Sequence, residues 1–214
     1  MTTELVAAID TGDARAWLVE QLAAAGEPAR FAAAFAGAGR RLGRAAIREA
    51  AAAAITASGL RWPVTGADEC GRAALVLAAI DRLAPDEHVA FIANLVRRGE
   101  VRERQAVLRA LAALPEPARF VELAIDALRT NVVDVFAAIA CDNPLPARCF
   151  DERAFGQMIL KALFVGAPLA RVVGLQARIT PELIRMVDAF ASERRAAGRD
   201  VPADAALITD RRTS

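Results

Sequence analysis

Apolar residues recur every three to four positions along most of the chain, broken by short polar turns that hold glycine or proline. This is the period of helices buried on one side. In 13–25, "DARAWLVEQLAAA", Trp17, Leu18 and Leu22 share a face and Gly26 stops the helix. Pro28 suits the first turn of 28–39, where a missing N–H costs little. A third helix covers 44–58 and ends at Gly59. The loop "LRWPVTGADEC" follows, punctuated by Pro63 and Gly66, with Thr65 or Asp68 as possible caps. Further helices are predicted over 67–83, 85–98, 102–114, 116–129, 130–140 and 151–165. The last runs over 181–197, opened by Thr180-Pro181-Glu182 and closed by Gly198. "PADAALITDRRTS" carries no helix pattern and is expected to drape over the surface or fray.

Two stretches resemble each other. "VLAAIDRLAPDEHVAFIANLVRR" (76–98) aligns with "VLRALAALPEPARFVELAIDALR" (107–129), both reading as helix, proline-bearing turn, helix. Helix-pair repeats of this length build α-solenoids. The expected fold is therefore all-α: an irregular α-solenoid, a HEAT-like stack of antiparallel helix pairs, with an irregular bundle as the alternative. One domain over 1–202 and a tail over 203–214 complete this picture. Composition agrees, since much of the 55% hydrophobic content is alanine and tyrosine is absent.

Charge and rare residues narrow the chemistry. Lys and Arg number 27 against 26 Asp and Glu, which leaves no electrostatic footprint for nucleic acid. Three cysteines (Cys70, Cys141, Cys149) are too few for a disulfide framework and point to a reducing cytoplasm. The N-terminus lacks the basic and apolar regions of a signal peptide. No apolar run approaches the length of a membrane span, so membrane contact is expected to be peripheral at most. Cys141 and Cys149 are eight apart with no second histidine, which leaves no zinc set, and no aspartate-rich run suggests magnesium. No metal or cofactor is expected. The sole histidine, His88, reads as a surface or capping residue at a helix start. "GAGRRLGR" imitates a phosphate loop through Gly37, Gly39 and Gly43 but lacks the strand before it. What survives there is weaker: Arg40, Arg41 and Arg44 as an anion-binding turn, or as a solvated basic one.

The richest region is "IDALRTNVVDVFAAIACDNPLPARCFDERAFGQMILKALFVG". On a helix through 126–140, Asp126, Thr130 and Asp134 form an i, i+4 row with Asn131 beside it. Gln157 and Lys161 form a second such pair, and Lys161 is flanked by apolar residues. It either snorkels to water or faces a groove with an acidic partner. Between the helices, Asn143-Pro144 and Leu145-Pro146 are expected to hold the backbone extended, with Arg148 just beyond. Turning one helix back on the other would gather these side chains on an apolar wall.

Arg129-Thr130-Asn131-Val132, Asp134, Phe136, Asn143-Pro144, Pro146-Ala147, Phe150, Phe155, Gln157-Met158 and Leu160 to Phe164 stand in the order of a family pattern. With "GLQAR" (174–178) and "ERRAAGRDVP" (193–202), the region from about 119 to 202 resembles the EboA-domain family, and "RRLGR" resembles its arginine-glycine segment. Leu145, Cys149, Gly156 and Gln176 depart from that pattern, standing where an aromatic, an aromatic or His, Asn and Asp are usual. The resemblance implies an all-α, HEAT-like protein encoded near prenyltransferase- and cyclase-like enzymes, hence a prenylated cyclitol-type metabolite.

The expected function is an accessory protein that binds an apolar or prenylated intermediate, or a partner enzyme of the same pathway. Its contacts would be Asp126, Arg129, Asn131, Asp134, Asn143, Arg148, Gln157 and Lys161. Two alternatives stand beside it. One is a pathway enzyme using Lys161 with Asp126 or Asp134 as acid–base groups and Arg148 to hold an anion. The other is a purely structural scaffold.

Overall fold

The computed structural model describes residues 1–10, 12–57, 61–63 and 65–210, and these are helical throughout apart from turns and one isolated bridge between Ala46 and Gly66. The helices are α1 (Thr2–Ala7), α2 (Gly12–Ala23), α3 (Pro28–Arg41), α4 (Glu49–Ala57), α5 (Ala67–Ile80), α6 (His88–Arg98) and α7 (Val101–Ala110). After two 3-10 turns come α8 (Val121–Ala127), α9 (Val133–Ala140), α10 (Leu145–Cys149), α11 (Glu152–Val165), α12 (Pro181–Ala196) and α13 (Ala206–Thr209). No helix of the described residues is long and apolar enough to cross a membrane. The expected stop at Gly59 lies outside the described residues.

Helix α5 organises the N-terminal half. Every residue from Ala67 to Ile80 is buried, and α1, α2, α3 and α7 pack around it. Small residues make this possible, because Gly71, Ala73, Ala74, Ala78 and Ala79 let neighbours approach from all sides. A Cβ at Gly71 would collide with Leu42 Cδ1, so any larger residue there would force the Leu42 side chain off its seat between α3 and α5. Full burial of Leu75, Val76 and Ile80 stabilises by about 1.5–3 kcal/mol for each side chain.

Several local expectations need correction. The run 126–140 is not one helix: α8 ends at Ala127 and α9 starts at Val133. Thr130 Oγ1 accepts from Val132 N at 3.1 Å, a local bond that competes with helix continuation. Neither Thr65 nor Asp68 caps α5, whose cap position is Gly66. Asn143-Pro144 does not hold the chain extended: Pro144 is helical (φ −77°, ψ −9°) and α10 starts directly after it. A proline at a helix start sacrifices no intrahelical bond, which is why the second one, Pro146, is also accommodated. His88 is buried rather than on the surface, its Nε2 donating to the Leu83 carbonyl at 3.2 Å. The C-terminal stretch neither drapes nor frays over its described part. Asp204 accepts from Leu169 N at 2.7 Å and Ile208 is fully buried.

Candidate functional site

The wall predicted around Lys161 assembles only in part. Lys161 Nζ donates to the carbonyls of Leu128 (2.5 Å) and Thr130 (2.7 Å) and lies 5.5 Å from the centre of the Phe136 ring. It neither snorkels nor meets an acid. It closes the open C-terminal end of α8, where carbonyls lack helical partners. Arg129, Gln157 and Lys161 do line one cleft of about 340 Å³, with Ile125, Phe136 and Met158. Asp126 lines a different depression, with Thr130 and Arg104, and forms a 3.5 Å surface pair with Arg129. Asn131 and Asp134 are exposed, as is Arg148 on α10. The break between α8 and α9 is what separates the two carboxylates.

Asn143 serves the fold. Its Nδ2 donates to the Leu108 (3.1 Å) and Ala138 (3.0 Å) carbonyls while its Oδ1 accepts from Leu145 N at 3.0 Å. Its side chain is 1% exposed, so no donor or acceptor is left over for a ligand. Next to it, Asp142 takes a positive φ of 52° and is clamped by Arg171. The Arg171 guanidinium reaches the carboxylate at 2.6 and 2.7 Å, and Asp142 N donates to the Arg171 carbonyl at 2.8 Å. Arg178 holds the far side of the turn, donating to the carbonyls of Ala147 and Phe150 at 2.8 Å and stacking on Phe155 at 4.6 Å. Gly156, one of the departures from the family pattern, lets Met186 of α12 pack against α11.

The sequence-level reading missed a buried charge network on α5. Asp68 is fully buried and accepts from Arg72 Nη1 at 2.6 Å and from both Nε (2.9 Å) and Nη2 of Arg102. Burial opposes its ionisation, but the Arg102 and Arg72 hydrogen bonds outweigh it and hold its carboxyl below the ordinary 3.8. A Cβ at Gly66 would stand 2.5 Å from Arg102 Nη2 and 2.6 Å from Asp68 Oδ1, so the pair requires glycine there. One residue on, Glu69 pairs with Arg109 at 2.5 Å, each side chain 6% exposed. The available signal was Arg109 inside "VLRALAAL" and Asp68 four residues before Arg72, charged positions in apolar surroundings.

Cys70 and Cys141 are buried and poorly reactive. Burial raises the Cys70 thiol to about 11, despite hydrogen bonds from Thr65 and Trp62, and burial raises that of Cys141 as well.

A groove between α3 and α6, of about 440 Å³, is lined mainly by apolar side chains. Phe31, Phe35, Phe91, Leu83 and Leu95 form its walls. Phe31 stacks on Phe35 at 5.5 Å and meets Phe91 at 5.2 Å. The amphipathic spacing of both helices creates this face: Phe31, Ala32, Phe35 and Ala36 on α3 oppose Phe91, Asn94, Leu95 and Arg98 on α6. One end, at Gly26, abuts the Arg82 side chain beyond the C-terminus of α5. The other, at Phe35, Arg98 and Glu103, lies where α5 begins, since Arg72 Nε donates to the Phe35 carbonyl at 3.0 Å and Arg102 holds Asp68.

No curated protein and no solved structure matches the chain. A family model does, described as "Metabolite traffic protein EboA", over residues 3–207, nearly the full length. The all-helical chain, with its clamped "CDNPLPARCF" turn and its apolar groove, belongs to the EboA family.

Proposed function

We propose that the protein binds the apolar part of a small metabolite in the groove between α3 and α6, as a non-catalytic accessory in metabolite handling. One observation carries this reading: three phenylalanine rings and two leucines line a preformed space of about 440 Å³. That volume and lining are those of small-molecule sites. The family description as a metabolite traffic protein supports the same role. On this reading the helix pairs over 76–129 form the stacked frame of the groove, and the protein works in the cytoplasm. The occupant is an intermediate of the prenylated cyclitol type implied by the family resemblance.

A second reading has its own support, because Arg129, Gln157 and Lys161 share a cleft with Phe136 and Met158. It makes the protein an enzyme with Lys161 as an acid–base group. Less favours it, since Lys161 Nζ is spent on two carbonyls and the cleft lining includes neither Asp126 nor Asp134.

One titration separates the two. Ala32 is exposed and lines the groove, so Ala32→Trp fills it without opening the core. Calorimetry with 1-octanol should show binding to the native protein and a loss of about tenfold or more in Ala32→Trp. Unchanged affinity in Ala32→Trp, with loss in Lys161→Met, would move the site to the second cleft.

A further inference from the structure

The groove is not uniformly apolar, and its asymmetry says what kind of molecule fits. The end at Gly26, Pro28 and Leu83 offers hydrocarbon, the Arg82 stem included, because the Arg82 guanidinium is turned onto the Ala78 carbonyl; the end at Phe35 and Ala36 is lined by Arg98 and Glu103. Arg98 forms no ion pair among the described residues. Arg40 follows Ala36 by one helical turn, but its Nη2 lies beside Gly37, off the groove lining. Arg41 and Arg44 stand exposed just beyond, also without ion pairs among the described residues. The fixed charges behind them add to the positive field. Arg72 lies 5.8 Å from the centre of the Phe35 ring, and Arg102 and Arg72 share the single carboxylate of Asp68.

The acidic groups at this end are bonded but still charged. Glu100 and Glu103 cap α7 reciprocally, with Glu103 Oε2 accepting from Glu100 N at 3.0 Å, which draws Glu103 toward the backbone although it lines the groove. Asp68 is enclosed by two arginines, which leave that cluster one positive charge in excess. An apolar groove that ends on an exposed guanidinium with no ion pair among the described residues complements a molecule with an apolar body and an oxyanion at one end.

Building on the groove reading above, we infer that the ligand is an anionic amphiphile, its hydrocarbon between the phenylalanines and its oxyanion held by Arg98. The guanidinium fork would grip a phosphate or a carboxylate, and affinity for a matched pair of probes distinguishes these.

The test compares 1-octanol, octyl phosphate and nonanoate by calorimetry, with inorganic phosphate as a tail-free control. At least one anion should bind the native protein about tenfold more tightly than 1-octanol. That advantage should shrink as salt is raised to about 0.5 M. In Arg98→Gln the anions should bind no more tightly than 1-octanol does. The side chain is exposed, so this variant should fold. Octanol binding with no gain for either anion would overturn the oxyanion site and leave the groove standing. So would a gain that survives Arg98→Gln. If neither octanol nor the anions bind, the groove reading falls and this inference with it.

Discussion

The Glu69–Arg109 pair gives the sharpest test of how the core is held. Both side chains are 6% exposed and join at 2.5 Å, with Arg109 Nη1 also 3.5 Å from the Cys141 carbonyl. Arg109→Met removes the guanidinium and leaves a carboxylate enclosed by α5 and α7 with no cation. Breaking one half of a buried pair costs about 3–5 kcal/mol, mostly the penalty of the stranded charge. For a chain of this size each kcal/mol lowers Tm by about 2–4 °C, so the variant should melt roughly 6–20 °C lower. Glu69→Leu should cost a comparable amount by stranding Arg109. The double variant strands nothing and should recover most of the loss, because hydrophobic replacement of a whole buried pair is often neutral. Urea titrations followed by far-UV circular dichroism would give the coupling energy from the four proteins. Single variants within about 1 kcal/mol of the native protein, or a double variant whose loss is the sum of the singles, would refute the argument. Either result would mean that water or neighbouring groups satisfy these charges.

Further outcomes follow from other residues. Asn143→Ala removes three hydrogen bonds at a buried position, taking one from each of the Leu108 and Ala138 carbonyls and one from Leu145 N, so a loss of about 3 kcal/mol is expected in the same denaturation assay. Asp68 has a depressed carboxyl, so its contribution is complete above its unfolded value of 3.8 and is lost as the pH falls below that toward the folded value. Native stability should therefore fall below about pH 4, and less steeply in Arg102→Gln, as read from unfolding midpoints across an acid series. Thiol labelling under native conditions should modify Cys149, which is half-buried, well before Cys70 or Cys141. Fast modification of Cys70 would contradict its burial.

The helical class, most helix positions and the family were legible in the sequence because they depend on local period and on contiguous residues. Thr180 as the cap of α12, Pro28 at the start of α3 and Gly198 in the left-handed conformation after α12 all stand where simple helix rules put them. What the sequence could not order was competition between partners. The three residues Thr130 to Val132 read as helix from their spacing, yet Lys161, over 30 positions on from Leu128 and Thr130, takes the carbonyls just past the end of α8. Asn143 and Lys161 are polar residues in apolar runs, a pattern shared by ligand contacts and by side chains that close backbone ends. Only their distances to Leu108, Ala138, Leu128 and Thr130 decided between those roles. Burial was decided in the same way. Asp68 and Glu69 look like an ordinary acidic helix start, and they become a core network because Arg102 and Arg109 arrive from α7. The groove belongs wholly to the tertiary structure: its walls come from α3 and α6, which are far apart in the chain and meet because α3 packs on α5 while α6 packs on α7, itself held against α5. Local periodicity determines which face of each helix is apolar. The packing of the whole chain determines which of those faces stay open to a ligand.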